Sequence, residues 1–198
     1  MGISDGYVVG TTKIVDHGPD NARWNLAIIG DGYRASELAQ YHADVQDFLT
    51  TLRATPPFDE LFCGINVHRI DVVSTDSGAD DPGCAGGPAT TANTYFDATF
   101  CTVFYGTPMD RLLTVDDTLA LSVASAQVPL RHVVLCIVNS SKYGGSGGTI
   151  ATCSTDSQAA KIAIHELGHT AFGLADEYGG DGTGTPWGEP SKPNVTRN

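Results

Sequence analysis

The densest apolar run in the chain is Arg131-His-Val-Val-Leu-Cys-Ile-Val-Asn139. A run of that kind predicts a central strand buried on both faces. Trp24-Asn-Leu-Ala-Ile-Ile29 reads as a second strand, ended by Gly30-Asp-Gly-Tyr33, and Ile65-Asn-Val-His-Arg-Ile-Asp-Val-Val73 as a third. Residues 7–16 fit a short first strand. From Ser36 the period changes. Leu38, Tyr41, Val45, Phe48, Leu49 and Leu52 recur at helical spacing until Pro56-Pro57 stops the helix, so they form a core stripe. Asp116 to Gln127 reads as a further helix closed by Pro129, residues 74–92 as irregular, and residues 94–105 as a strand or hairpin near Cys101.

The last part of the pattern is the most informative. Tyr143-Gly-Gly-Ser-Gly-Gly148 predicts a flexible glycine turn, and Thr149-Ile-Ala-Thr-Cys153 a short strand at the edge of the sheet. Thr155-Asp-Ser-Gln158 has the T-x-x-Q form of a capping box and opens a final helix. Ala159, Ala160, Ile162, Ala163 and Ile164 make that helix apolar around most of its girth, and Gly173 is a natural place for it to end. After Tyr178 the chain turns to Gly, Thr and Pro. The order of elements predicts an α/β fold: a mixed twisted sheet with an edge strand, a backing helix and a buried last helix, in one domain spanning 1–198.

That last helix carries His165-Glu-Leu-Gly-His169. Residues four apart share a helix face, so both imidazoles can serve one metal ion, with Glu166 beside them to take a proton from a metal-held water. Two neutral histidines, a third protein ligand and an open position describe a catalytic Zn2+ site. The third ligand is sought in the acidic pair after the helix; Asp176 is favoured, and Glu177 stays open. Hence the expected metal ligands are His165, His169 and Asp176, with Glu166 as the catalytic base.

Gly173-Leu-Ala-Asp-Glu-Tyr178 resembles the Gly-Leu-x-ligand turn of metzincin metallopeptidases, and is similar to snapalysin and immune inhibitor A proteases there. The glycine and the acid each stand one residue later after His169 than in the metzincin turn. A narrower resemblance covers most of residues 25–196. H-E-x-x-H with this turn, Asn25-Leu-Ala-Ile-Ile-Gly-Asp-Gly-Tyr33, Phe58-Asp-Glu-Leu-Phe62, Asn66-Val-His-Arg-Ile-Asp-Val-Val-Ser-Thr-Asp-Ser-Gly78 and the 143–148 glycine run resemble the bacterial IgA-peptidase family of zinc metallopeptidases. The resemblance implies a secreted or cell-surface zinc endopeptidase acting on protein or peptide substrates. Metzincins also place a methionine turn beneath the metal. Here the methionines are Met1 and Met109, so the catalytic domain is expected to continue beyond the C-terminus given.

Charge and composition narrow the rest. A net charge of -12 disfavours nucleic acid as a partner. No apolar run is long enough to span a membrane, and no signal peptide is visible at Met1. Five cysteines are many for a reducing compartment; Cys84 and Cys101, flanking a Gly/Thr/Asn-rich loop, are the expected disulfide, and Cys136 a buried small hydrophobe. Gly144-Gly-Ser-Gly-Gly148 formally matches a G-x-S-x-G elbow but lacks the strand–helix context. Asp76, Asp80 and Asp81 fit a solvated loop better than a calcium site, and His17, His42, His68 and His132 are expected to be structural or surface residues. Asn139-Ser-Ser141 and Asn194-Val-Thr196 have the form of glycosylation sequons. Two alternatives to the endopeptidase remain: a gluzincin-like peptidase with another third ligand, and a non-catalytic peptide- or glycan-binding module with a structural zinc.

Overall fold

A computed structural model of the chain describes residues 4–176 together with 193–194. In chain order the elements are β1 (Gly6–Val15), β2 (Trp24–Asp31), α1 (Leu38–Arg53), α2 (Phe58–Leu61), β3 (Ile65–Ser74), β4 (Val103–Phe104), β5 (Thr107–Pro108), α3 (Asp117–Gln127), β6 (Val133–Val138), β7 (Gly145–Ser146), β8 (Ala151–Cys153) and α4 (Ala159–Phe172). Six strands form one mixed sheet in the order β1-β3-β2-β6-β8-β7. β3, β2, β6 and β8 run parallel, and β1 and β7 close the two ends antiparallel.

The strand period of two explains the layers. Leu26 and Ile28 of β2 and Val133, Leu135 and Ile137 of β6 point to one face, where they meet Tyr41, Val45, Phe48 and Leu52 of α1 and Ile162, Ala163 and Leu167 of α4. Ala27, Ile29, Val134, Cys136 and Val138 point to the other, beneath α3 and a buried irregular segment that includes Phe96, Ala98 and Phe100. Both faces are covered, which is why β6 reads as an unbroken apolar run. Cys136 is one of its fully buried side chains, as its position among hydrophobes predicts.

The irregular segment is held by a buried carboxylate. Asp31 accepts hydrogen bonds from Ser74 Oγ and Phe96 N at 3.0 Å and from Ala98 N at 3.1 Å. Burial pushes its carboxyl above the ordinary range, while the donors pull the other way. The Gly30–Tyr33 turn is therefore structural. Gly32 has φ +70, and a Cβ there would collide with the backbone carbonyl of Gly78. Residues 94–100 form no strand; the hairpin expected near Cys101 lies at β4–β5 instead. Its root is tied by the Cys84–Cys101 disulfide and by Lys142, whose Nζ lies 2.6 Å from Asp81 Oδ2 and 2.7 Å from Asp110 Oδ1. Asp76 and Asp80 accept backbone hydrogen bonds from Asn93 and Ala92, so the acidic loop spends its carboxylates on its own closure.

Two expectations are corrected near α4. Thr149–Cys153 is not the sheet edge: β8 lies between β6 and β7, and Gly145–Ser146 folds back to take the outer position. Nor does Thr155 cap α4. Its hydroxyl donates to Ser140 O at 3.0 Å, and Asp156 Oδ1 instead accepts from Gln158 N at 2.8 Å just before the helix. Among the described residues no helix is long and apolar enough to cross a membrane.

Candidate metal centre

Helix α4 packs against β8 and α1 and carries His165, Glu166 and His169 to the end of the sheet where β7 lies. Its C-terminus is fixed by Phe172, which stacks on Trp24 with ring centroids 6.0 Å apart. Gly173 then adopts φ 64, ψ 25, a left-handed conformation that glycine takes without strain. This turn reverses the chain: Gly173 N donates to His169 O at 3.0 Å and Leu174 N to Gly168 O at 3.1 Å.

The reversal has two consequences. It places Leu174 O 2.7 Å from His169 Nδ1. A carbonyl only accepts, so Nδ1 carries the proton and the neutral ring presents a lone pair at Nε2. It also returns Asp176 to the helix, with Oδ1 3.1 Å from His165 Nε2 and 3.3 Å from His169 Nε2. The two Nε2 atoms are 3.1 Å apart. Ala175, next to that aspartate, is clamped by Asn194, whose side-chain amide donates to Ala175 O and accepts from Ala175 N, both at 2.8 Å. The Asn194 sequon residue is thus a backbone clamp. Glu177 and Tyr178 lie outside the described residues.

The donor triangle can be tested against zinc. Ligands at 2.0–2.1 Å around a tetrahedral ion stand about 3.3–3.4 Å from one another. The three separations here, 3.1, 3.1 and 3.3 Å, are slightly contracted from that edge and leave one face of the tetrahedron open. The donor chemistry, two imidazoles and a carboxylate, suits the same ion. Burial, and then the neighbouring His169, hold the His165 imidazole below the ordinary histidine range, which favours the neutral form a metal requires.

Glu166 sits beside this triangle, 9 % exposed, with a ligand atom within 4.8 Å of those of both histidines. Burial pushes its carboxyl up to about 7; His169 and Arg111 pull it down and Asp176 pushes it further up. The glycine run forms the wall opposite. A Cβ on Gly147 would lie 2.7 Å from His169 Cβ and 3.0 Å from Glu166 Oε2, and one on Gly145 2.6 Å from Ile162 Cγ2. Gly148 N donates to Thr170 Oγ1 at 3.1 Å. These glycines are therefore a packed wall against α4, not a flexible turn, and Ser146 Oγ is engaged with Leu113 O at 2.6 Å. A cleft of about 530 Å³ opens over the centre, lined by Phe104, Met109, Arg111, Leu112 and Val115 as well as the glycine wall.

Sequence reasoning singled out His165, Glu166, His169 and Asp176, and the structure brings all four together. It missed Leu174 and Asn194, which act through backbone, and Arg111, Phe104 and Met109, which no local period marks. His17, His42, His68 and His132 lie elsewhere; for example, His132 Nδ1 accepts from Asn25 N at 3.0 Å on the far strand end.

No curated protein matches the chain. The family model described as IgA Peptidase M64 matches residues 12–198, nearly the whole length, and includes every residue of the centre described above. The chain belongs to the IgA peptidase M64 family, a family of peptidases.

Proposed function

We propose that residues 1–198 form a single metzincin-like catalytic domain of a zinc-dependent endopeptidase, in which His165, His169 and Asp176 hold the metal and Glu166 is the general base. One observation carries this reading: three donor atoms of the right chemistry converge at tetrahedral-edge separations, with a largely buried carboxylate beside them. A zinc ion in that set supplies acidification of water toward a pKa of about 7 and polarisation of a carbonyl oxygen.

The chain's own groups do the rest. Glu166 takes a proton from the attacking water and returns it to the nitrogen of the departing amine. In the metal-free chain burial raises its carboxyl to about 7, and a dication beside it would favour the ionised form that accepts a proton. The carbonyl of Leu174 keeps His169 in one tautomer, and Asn194 fixes the backbone from which Asp176 projects. The glycine wall lets the cleft come close to Glu166 without a side chain intervening. The substrate lies in the cleft across the glycine wall, not along β8, which is paired on both sides. The Cys84–Cys101 disulfide supports an oxidising, extracellular setting and a protein substrate met there.

The test combines metal analysis with cleavage of unfolded protein such as casein. One equivalent of zinc, hydrolysis abolished by a chelator, and loss of at least about a hundredfold in Glu166→Gln are expected. Zinc with no hydrolysis, and no change in Glu166→Gln, would instead indicate a binding module with a structural ion.

A further inference from the structure

The cleft is not uniform along its length. Beside His165 and Glu166 it is walled by Phe104, Met109, Leu112, Val115 and Ile150. Asp117 also lines that cleft, and burial pushes its carboxyl above the ordinary range, toward the uncharged form. A second hollow of about 300 Å³ adjoins it, sharing Gly145, His165 and Glu166, and adds Tyr143, Gln158 and Lys161 to the lining. Arg111 borders both.

Arg111 and Lys161 are exposed, and neither pairs with a carboxylate among the described residues. Among the described residues Lys13, Arg34, Arg69 and Lys142 have an acidic partner and Arg23, Arg53 and Arg131, like Arg111 and Lys161, have none; what sets Arg111 and Lys161 apart is that both line the hollow beside the metal centre. With a net charge of -12, acids are abundant, yet these two cations face a hollow beside the metal centre. Arg111 already acts on the Glu166 carboxyl, so Lys161 is the cation for which a substrate carboxylate can supply the opposing charge. The apolar side is equally prepared. Val103, Phe104 and Tyr105 at the tip of the β4–β5 hairpin are 64, 52 and 93 % exposed, and the hairpin root is pinned by the disulfide and by Lys142. A pre-set apolar lip loses little freedom on binding.

We propose that the cleft binds an extended polypeptide carrying an apolar side chain against Phe104 and Met109 and a glutamate or aspartate in the adjoining Arg111–Lys161 hollow, both bordering the metal centre. This rests on the peptidase reading for its consequence, since a bond of that polypeptide beside the metal centre is then the one cut. Lys161 sets the charge preference and Phe104 the apolar one.

The experiment measures binding and cleavage separately. Fluorescein-labelled peptides of one apolar framework carry Glu, Gln or Lys at a single position scanned along the peptide. Their Kd values are read by anisotropy on the zinc-loaded Glu166→Gln protein. At one position the Glu peptide should bind about tenfold tighter than the Lys peptide, and the ratio should shrink as salt is raised to 1 M. Lys161→Glu in the same background should abolish or invert that ratio. Phe104→Ala should weaken all three peptides alike. Equal affinities at every position, or a ratio untouched by Lys161→Glu, overturn the proposal. Cleavage of the same peptides by the unmodified protein is followed in parallel: preference without cleavage sinks the hydrolytic reading and leaves this one standing, and cleavage without preference does the reverse.

Discussion

Glu166 should cost the metal-free protein stability, and the cost should follow pH. Its carboxyl rises from the ordinary 4.5 to about 7 because burial disfavours the charged form. Between those values the folded chain holds a proton that the unfolded chain has released, so stability falls as pH rises through that window. Below about 4.5 both states are protonated and the penalty is absent; above about 7 both are ionised and it is complete. The full interval corresponds to roughly 3 kcal/mol at 1.36 kcal/mol per pH unit, and solvent reaching the cleft reduces this to about 1–2 kcal/mol. Gln has nearly the same shape and does not titrate. With metal stripped by a chelator, Glu166→Gln should therefore melt at nearly the same temperature as the unmodified chain at pH 4.5. At pH 8 it should melt roughly 2–8 °C higher, for a domain near 200 residues. Calorimetry at a series of pH values measures the difference directly. If the two melting curves stay parallel from pH 4.5 to 8, Glu166 is not held in a desolvated site and the argument for a tuned base fails.

Other perturbations reach the same centre from different sides. Zinc affinity should drop in acid as the His165 imidazole, held below the ordinary histidine range, takes up a proton; a zinc affinity that does not fall with pH would contradict His ligation. Gly147→Ala should cost about 1–3 kcal/mol and lower turnover, because its methyl meets His169 and Glu166; unchanged melting and kcat would mean the wall yields freely. Asn194→Ala should weaken zinc binding about tenfold by freeing the Ala175 backbone, read by competition with a chromogenic chelator, while leaving the melting of the metal-free chain nearly unchanged. Asp31→Ala leaves the amides of Phe96 and Ala98 and the hydroxyl of Ser74 without their acceptor and should destabilise by about 2–4 kcal/mol in denaturant titrations.

Elements with a long local period are legible in the sequence alone. β2, β3, β6, α1 and α3 each repeat a pattern over six residues or more, and the observed bounds follow it closely. The short pieces around the cleft are not legible there, because contacts decide them. β7 has two residues and β8 three, and which of them is the edge depends on Gly145 and Ser146 reaching back to Cys153 and Thr152. That approach needs the absent side chain at Gly145, a reason that cannot be read from a glycine count. Thr155 fails as a cap for a similar reason: Ser140, 15 residues earlier, already holds its hydroxyl. Arg111 and Lys161 are separated by 50 positions in the sequence, and only the cleft makes them neighbours of one hollow.

The turn after α4 shows how one additional residue can be absorbed without moving the chemistry. Asp176 stands seven positions after His169, one more than the spacing on which the sequence expectation is built. A helix accommodates such a shift by ending later. α4 continues through Phe172, whose ring finds a stacking partner in Trp24, and the left-handed residue falls at Gly173. What the site needs from the turn is then met by position in space. Leu174 O reaches His169 Nδ1, Leu174 N reaches Gly168 O, and Asp176 Oδ1 arrives within 3.3 Å of both imidazoles. The glycine is the component that permits this: at φ 64 a side chain carries strain, whereas glycine reverses the chain freely. Replacing Gly173 by alanine should consequently cost about 1 kcal/mol in stability, but it should weaken zinc binding far more than that figure implies. The turn sets both the tautomer of His169 and the return of Asp176, so both are lost together. Equal losses in the two measurements would mean that Asp176 reaches the histidines without help from the turn.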